Sequence, residues 1–171
     1  MYTGKIWKKE KLKVVYAEQD RLCLNKTILE NITLQHISIT NIDKKMLEIA
    51  LQVSCLNRDL TSNQQITSDN KNKQNQNNET TISLNTIVKS SNNLSGGQKS
   101  RLAIARAIYN SKNADILIFD TVFSCLDVNL RAQVIANIKL SVLNSEISAI
   151  FIDNLDTVIE QLCTTCYYLD E

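Results

Sequence analysis

Two adjacent glycines, Gly96 and Gly97, constrain this chain more than any other feature in it. Its 171 residues hold only three glycines and no proline, where average usage would give roughly 12 and 8. The pair stands in Leu94-Ser95-Gly96-Gly97-Gln98, followed by Lys99-Ser100-Arg101 and an apolar run with Leu102, Ala103, Ile104, Ala107 and Ile108. This reads as a Ser-Gly-Gly turn feeding a helix from Lys99 to Asn110. Such a turn presents backbone N–H groups at a helix N-terminus. With no Cβ in the way a phosphate can approach them, and the helix dipole favours its charge. Each charge-assisted hydrogen bond to the anion is worth about 1.5–3 kcal/mol. Taken alone, the glycine pair is better explained as a loop pair capping an ordinary surface helix.

Composition bounds the rest. The length is that of one domain. A net charge of +1 leaves no basic footprint for nucleic acid. No run of 18 apolar residues is present, so no stretch reads as a membrane span. Met1-Tyr-Thr-Gly-Lys5 lacks the apolar core of a secretory signal. Five cysteines without framework spacing fit a reducing compartment.

Along the chain, Thr3–Trp7 and Leu12–Ala17 read as strands separated by a lysine-rich turn, with Gln19 closing the second. Thr27-x-x-Glu30 has the spacing of a capping box. Asp43 to Leu56 carries Met46, Ile49, Ala50, Val53 and Leu56 on one face, an amphipathic helix. Between Asn63 and Asn78, ten of sixteen residues are Asn or Gln. That composition buries too little surface to offset ordering entropy, so about 61–93 reads as a disordered insertion. Thr81–Leu84 and Thr86–Lys89 are the only pieces of it with a claim to lead into the glycine turn. Arg101 and Arg106 project from the following helix toward carboxylate partners. Asp115–Phe119 is a continuous apolar run of a buried parallel strand, with Asp120 at its C-terminal end, where open α/β sheets place ligand-binding groups. Ser148–Ile152 is another such strand, and Thr164–Leu169 reads as a last one. Cys163-x-x-Cys166 would supply two of the four ligands of a zinc site and is better explained as strand residues. His36, the sole histidine, falls in a polar loop.

Leu94–Gln98 with Arg101, and Ile116-Leu-Ile-Phe-Asp120 about twenty residues on, together resemble the signature and Walker B motifs of ATP-binding cassette (ABC) ATPases. The spacing around Gln19 and Leu24–Ile32 is most similar to the first cassette of subfamily C, the multidrug-resistance-protein and cystic-fibrosis-channel branch. The resemblance implies an α/β fold: a P-loop NTPase-type parallel sheet with a helical signature subdomain. Residues 1–20 and 112–171 would form the ATPase core lobe, and 21–111 the helical subdomain. It implies ATP and Mg²⁺ as cofactors, shared with a second, P-loop-bearing nucleotide-binding domain. Transmembrane domains of a transporter are the other implied partners, which places the chain at the cytoplasmic face of a membrane. By resemblance Leu94, Ser95, Gly96, Gly97 and Gln98 contact ATP held by the partner. Asp120 and Gln19 reach Mg²⁺ weakly, through water, and Asp127, ending the D-loop-like Ser124-Cys-Leu-Asp127, meets the partner cassette.

The departures are as informative. The general-base glutamate expected after Asp120 is Thr121, whose hydroxyl cannot take a proton from water near neutral pH. A positioned general base is worth about 10²–10⁴ in rate. The switch histidine expected after Ser148–Ile152 is Asn154. No P-loop stands at a strand-to-helix turn, since Gly4-Lys5 has no second glycine and no following helix, so the sheet is expected to lack its P-loop strand and the chain to be either one segment of a longer protein or marginally stable alone. The expected function is therefore a degenerate nucleotide-binding domain. Two alternatives stand beside it: an inert cassette fragment, and a chromosome-maintenance or repair ATPase with the same signature.

Overall fold

A computed structural model describes residues 10–18, 23–34, 42–60, 82–89, 94–141, 147–154, 160 and 162–167. The expected strand Thr3–Trp7, Gln19, His36 and the whole Asn/Gln-rich stretch Asn63–Asn78 lie outside them.

Three short apolar runs make a parallel sheet in the order β1 (Val14–Ala17), β2 (Ile116–Asp120), β3 (Ser148–Ile152). Val14 pairs with Ile116 and Ile116 with Ser148, and the register continues to Asp120 opposite Ile152. Parallel neighbours need crossovers, and helices provide them. Between β1 and β2 run α1 (Ile28–Thr33), α2 (Lys44–Val53) and α3 (Gly96–Asn110); between β2 and β3 runs α4 (Val128–Ser141). This is the α/β fold that the sequence implied.

Alternation along the strands decides which face is covered. Leu117 and Phe119 are fully buried, and Phe119 stacks on Phe151 with ring centroids 5.2 Å apart. On the opposite face Val14, Tyr16, Ile150 and Ile152 remain 45–50% exposed. A parallel sheet is ordinarily covered on both faces; among the described residues this one is covered on one.

The central element is α3, buried on nearly every side through Leu102, Ile104, Ala105, Ala107 and Ile108. It packs on α1, α2 and β1. The capping box at Thr27 forms as its spacing requires: the Glu30 amide donates to Thr27 Oγ1 at 3.1 Å and the Thr27 amide to Glu30 Oε2 at 3.0 Å. Asp43 caps α2, which ends at Val53 and gives way to a single 3₁₀ turn, Leu56–Arg58. Among the described residues Arg106 makes no ion pair with a carboxylate. Its guanidinium donates to the Asn31 carbonyl at 2.6 Å and to Asn31 Oδ1 at 3.0 Å, because Asn31, fully buried, is the acceptor that α1 turns toward α3.

Within the insertion expected at about 61–93 the described residues are 82–89. Ile82 and Val88 are buried, the Ile82 amide donates to the Asp59 carbonyl at 2.9 Å, and the Val88 amide to the Lys26 carbonyl at 2.8 Å. These apolar residues in a polar tract found acceptors just before α1 and just after the 3₁₀ turn. The expected last strand is absent among the described residues: 164–167 form a bend and an irregular run.

Candidate functional site

The glycine stretch begins the helix instead of preceding it. Ser95 is the N-cap of α3, with extended backbone, and Gly96 and Gly97 are the first two helical residues. The Gln98 amide donates to Ser95 Oγ at 3.2 Å and the Ser95 amide to Gln98 Oε1 at 2.9 Å. This second capping box satisfies two donors of the helix start and leaves the amides of Gly96 and Gly97 as orphan donors, since helix geometry gives them no intrahelical acceptor. Ser95 and Gly96 are exposed, Gly97 is half-buried, and Leu94 and Gln98 are buried. The loop thus rests on Leu94 and Gln98 and shows solvent its serine and glycine backbone.

Neither glycine of the pair has a positive φ, so left-handed freedom is not what fixes them. Close approach is. A Cβ at Gly97 would lie 3.3 Å from the Cys125 carbonyl oxygen, and one at Gly96 would lie 3.7 Å from Cys125 Cβ and Sγ. The stretch Ser124–Asp127 therefore packs onto the start of α3. Leu126 is buried there, while Ser124, Cys125 and Asp127 are exposed. Asp127 has a structural task that spacing did not reveal: its Oδ1 accepts from the Leu130 amide at 2.9 Å at the start of α4.

Behind the glycines, Arg101 donates through Nε to the Gly97 carbonyl at 3.3 Å. It makes a 2.8 Å ion pair with Asp59, their side chains only 6% and 2% exposed. This pair holds the signature helix to the 3₁₀ turn, and it realises the expectation that Arg101 seeks a carboxylate.

Asp120 ends β2, half-buried. Both its oxygens are engaged: Tyr16 donates its hydroxyl to Oδ2, and Thr121 Oγ1 donates to Oδ1 at 3.0 Å. Tyr16 is on the neighbouring strand and pairs in register with Ile118, two residues before Asp120. Thr121 occupies the left-handed region at φ 50, an uncommon and strained conformation for a β-branched residue. Its amide donates to the Ile152 carbonyl at 2.7 Å, which fastens the turn to β3. Asn154 sits exposed, two residues beyond β3.

Whether these residues fit Mg²⁺ can be tested on the donors. Magnesium demands octahedral oxygen coordination, and usually takes one or two carboxylates with waters and substrate phosphates. Among the described residues no three His, Cys, Asp or Glu side chains converge. Asp120 alone, already accepting from two hydroxyls, does not make a site. The chain's described residues do not fit the ion without phosphate oxygens supplied by a nucleotide.

The structure joins Ser95–Gln98 to Cys125–Asp127 in one surface and places Asp120, Thr121 and Asn154 at the C-terminal end of the sheet. An apolar cleft of about 340 Å³ lined by Met46, Ile49 and Ile108 lies at the other end of α3, away from both. Sequence reasoning missed the Ser95–Gln98 capping box and Tyr16. The first was visible as Ser-x-x-Gln; the second had no signal, its partner being 104 residues away.

A parallel sheet with crossover helices, carrying a capped Ser-Gly-Gly helix start against a D-loop-like turn, defines the class: a nucleotide-binding domain of the P-loop NTPase type. The family is ABC transporter, whose profile matches residues 2–124, and the chain belongs to it. It is similar to the lactococcin-G-processing and transport ATP-binding protein LagD of Lactococcus lactis, 33% identical over 122 residues, 71% of this chain and 14% of that protein. ABC transporter C family member 8 of Dictyostelium discoideum is 52% identical over 46 residues, 27% of this chain and 3% of that protein. In fold it resembles a bacterial Atm1-family ABC exporter with ATP bound, with a TM-score of 0.62 and 22% identity over 86% of this chain and 22% of that one. The chain thus spans a small part of the length of these relatives.

Proposed function

We propose that this chain is a degenerate nucleotide-binding domain whose signature loop completes an ATP site built mainly by a second, P-loop-bearing cassette. The observation that carries the reading is the preformed loop. Gln98 and Leu94 are buried beneath it, while exposed Ser95 and Gly96 and half-buried Gly97 would offer the Ser95 hydroxyl and two amides to a phosphate brought from outside. The exposed Cys125–Asp127 turn beside it is the natural second contact with that partner. Thr121 in the place of a general base supports a holding role over hydrolysis. ATP and Mg²⁺ would be shared with the partner, Asp120 and the upstream Gln19 contributing weakly to the metal. Closure of the pair would act on transmembrane domains at the cytoplasmic face of a membrane. None of the described helices is long and apolar enough to cross one.

A second reading, an inert cassette fragment, is favoured by one observation: Asp120 is occupied by Tyr16 and Thr121. One experiment separates the two. A fluorescent ATP analogue is titrated into this chain alone, and then into its mixture with a P-loop-bearing cassette, with a Ser95→Arg variant in parallel. ATP-dependent association that the variant abolishes supports the composite site. No association with either protein leaves the inert reading.

A further inference from the structure

Two successive carbonyls of the turn Ser124–Asp127 are held by two different helices. That of Cys125 lies against the start of α3, where a Cβ at Gly97 would come within 3.3 Å of its oxygen and 3.9 Å of Leu126 Cδ2. That of Leu126 is held by α4. In a regular helix the amide four residues on would serve this carbonyl, but the Leu130 amide is taken by Asp127 Oδ1 at 2.9 Å. Arg131, half-buried in the first turn of α4, supplies a donor in its place: its Nη2 reaches the Leu126 carbonyl at 2.8 Å. Its Nε is buried and makes no hydrogen bond among the described residues. The guanidinium therefore grips the turn by one bond.

We propose that Arg131 is a positioning residue for the surface that meets the partner cassette. Through the Leu126 carbonyl it sets the turn against Gly97, and so fixes where the exposed Cys125 and Asp127 stand beside the signature loop. Arg131 acts through Leu126, without touching nucleotide itself. The inference deepens the composite-site reading and rests on it for the partner, while the grip on the turn is a property of this chain alone. A charged donor to a carbonyl is stronger than a neutral one, so its loss should be felt in the turn before it is felt in the core.

The test has two readouts on the 171-residue chain. Amide exchange followed by NMR reports on the turn, where the Leu126 amide donates to the Phe123 carbonyl at 3.1 Å, and on the core through the Ile104 amide inside α3. Arg131→Met keeps the aliphatic stem and removes the donor. It should lower protection of the Leu126 amide about tenfold and leave that of Ile104 unchanged. Arg131→Lys keeps one charged donor, and since the turn takes one bond it should restore most of that protection. Association with a P-loop-bearing cassette, driven by a fluorescent ATP analogue, should weaken in Arg131→Met and largely recover in Arg131→Lys. Unchanged Leu126 protection in Arg131→Met, or an equal fall at Leu126 and Ile104 in both variants, would overturn the proposal. So would lost protection with association intact. Failure of the parent chain to associate would instead sink the composite-site reading, and the exchange readout would still decide whether Arg131 sets the turn.

Discussion

The two ends of α3 carry ion pairs of the same length and very different standing. Near its N-terminus Arg101 meets Asp59 at 2.8 Å with both side chains almost wholly enclosed. Just past its C-terminus Lys112 meets Asp43 at 2.8 Å with side chains 64% and 38% exposed. Distance does not rank them; solvent does. A buried charge deprived of its partner keeps its desolvation cost, whereas an exposed one is rehydrated. The end of the helix that presents the signature loop is thus the rigid end, fixed by a cap, a glycine contact and an enclosed ion pair.

The largest expected effect follows directly. Asp59→Ala should destabilise the chain by about 3–5 kcal/mol, since it strands the Arg101 guanidinium inside. Arg101→Met in the same chain should recover part of that loss by removing the stranded charge. Urea denaturation of the two variants checks the pair, and equal stability of Asp59→Ala and the parent chain would remove the rigid end of the comparison. Lys112→Ala, by contrast, should leave the curve nearly unmoved.

Next comes the cap. Ser95→Ala removes the oxygen that accepts from the Gln98 amide and should cost about 1 kcal/mol. Thr27→Ala at α1 should cost about as much. The two variants together sharpen the comparison: both should lower stability, but only Ser95→Ala should also weaken ATP-dependent association with a partner cassette. Equal loss of association in both would make the signature's contribution one of stability alone.

How much of this was legible in sequence depended on range. The capping box at Thr27 and Glu30, the amphipathic face of α2, and β2 with Asp120 at its end are patterns written within a few residues, and all three form. Ser95-x-x-Gln98 is written just as locally, yet two intervening glycines make it look like a turn, and the helix begins at Gly96 instead of Lys99. The reason for Gly97 was not local. It is the carbonyl of Cys125, which only the packing of two distant turns brings within 3.3 Å of a Cβ. Tyr16 and Asp120 meet for the same kind of reason. Ile82 and Val88 were obscured differently, because a polar tract hides two apolar residues whose acceptors, Asp59 and Lys26, flank the 3₁₀ turn and α1.

The glycine contact offers a finer test within the rigid end. Gly97→Ala must push the Cys125 carbonyl by a few tenths of an ångström, while Gly96→Ala meets only ordinary contacts at 3.7 Å. Each also gains helix propensity relative to glycine. Gly96→Ala should therefore be neutral or slightly stabilising. Gly97→Ala should be the less stable of the two by a few tenths of a kcal/mol, within the range of ordinary small substitutions. Thiol-modification rates should show a change at Cys125 in Gly97→Ala as the turn moves. An unchanged rate there would mean that the turn does not rest on the helix.

The smallest effect belongs to the exposed pair, and acid titration isolates it. The Lys112 hydrogen bond, helped by the Met46 amide, holds the Asp43 carboxyl below its ordinary value; the Asp43 hydrogen bond holds Lys112 above its own. A depressed carboxyl contributes stability above its unfolded value and loses it as pH falls through the folded one. A raised amine contributes below its unfolded value and loses it as pH rises through the folded one. The pair therefore acts across the neutral range and fades at both ends. In Lys112→Met the Asp43 resonance, followed by NMR, should titrate at higher pH than in the parent chain. It should stay somewhat depressed, because Met46 still donates its amide at 3.0 Å. Raising the salt concentration should shrink the difference between variant and parent, as screening predicts for exposed charges and not for Arg101 and Asp59. A titration unmoved by the substitution would show that the helix cap alone sets Asp43, and that α3 is held to α2 at this end by packing without its ion pair.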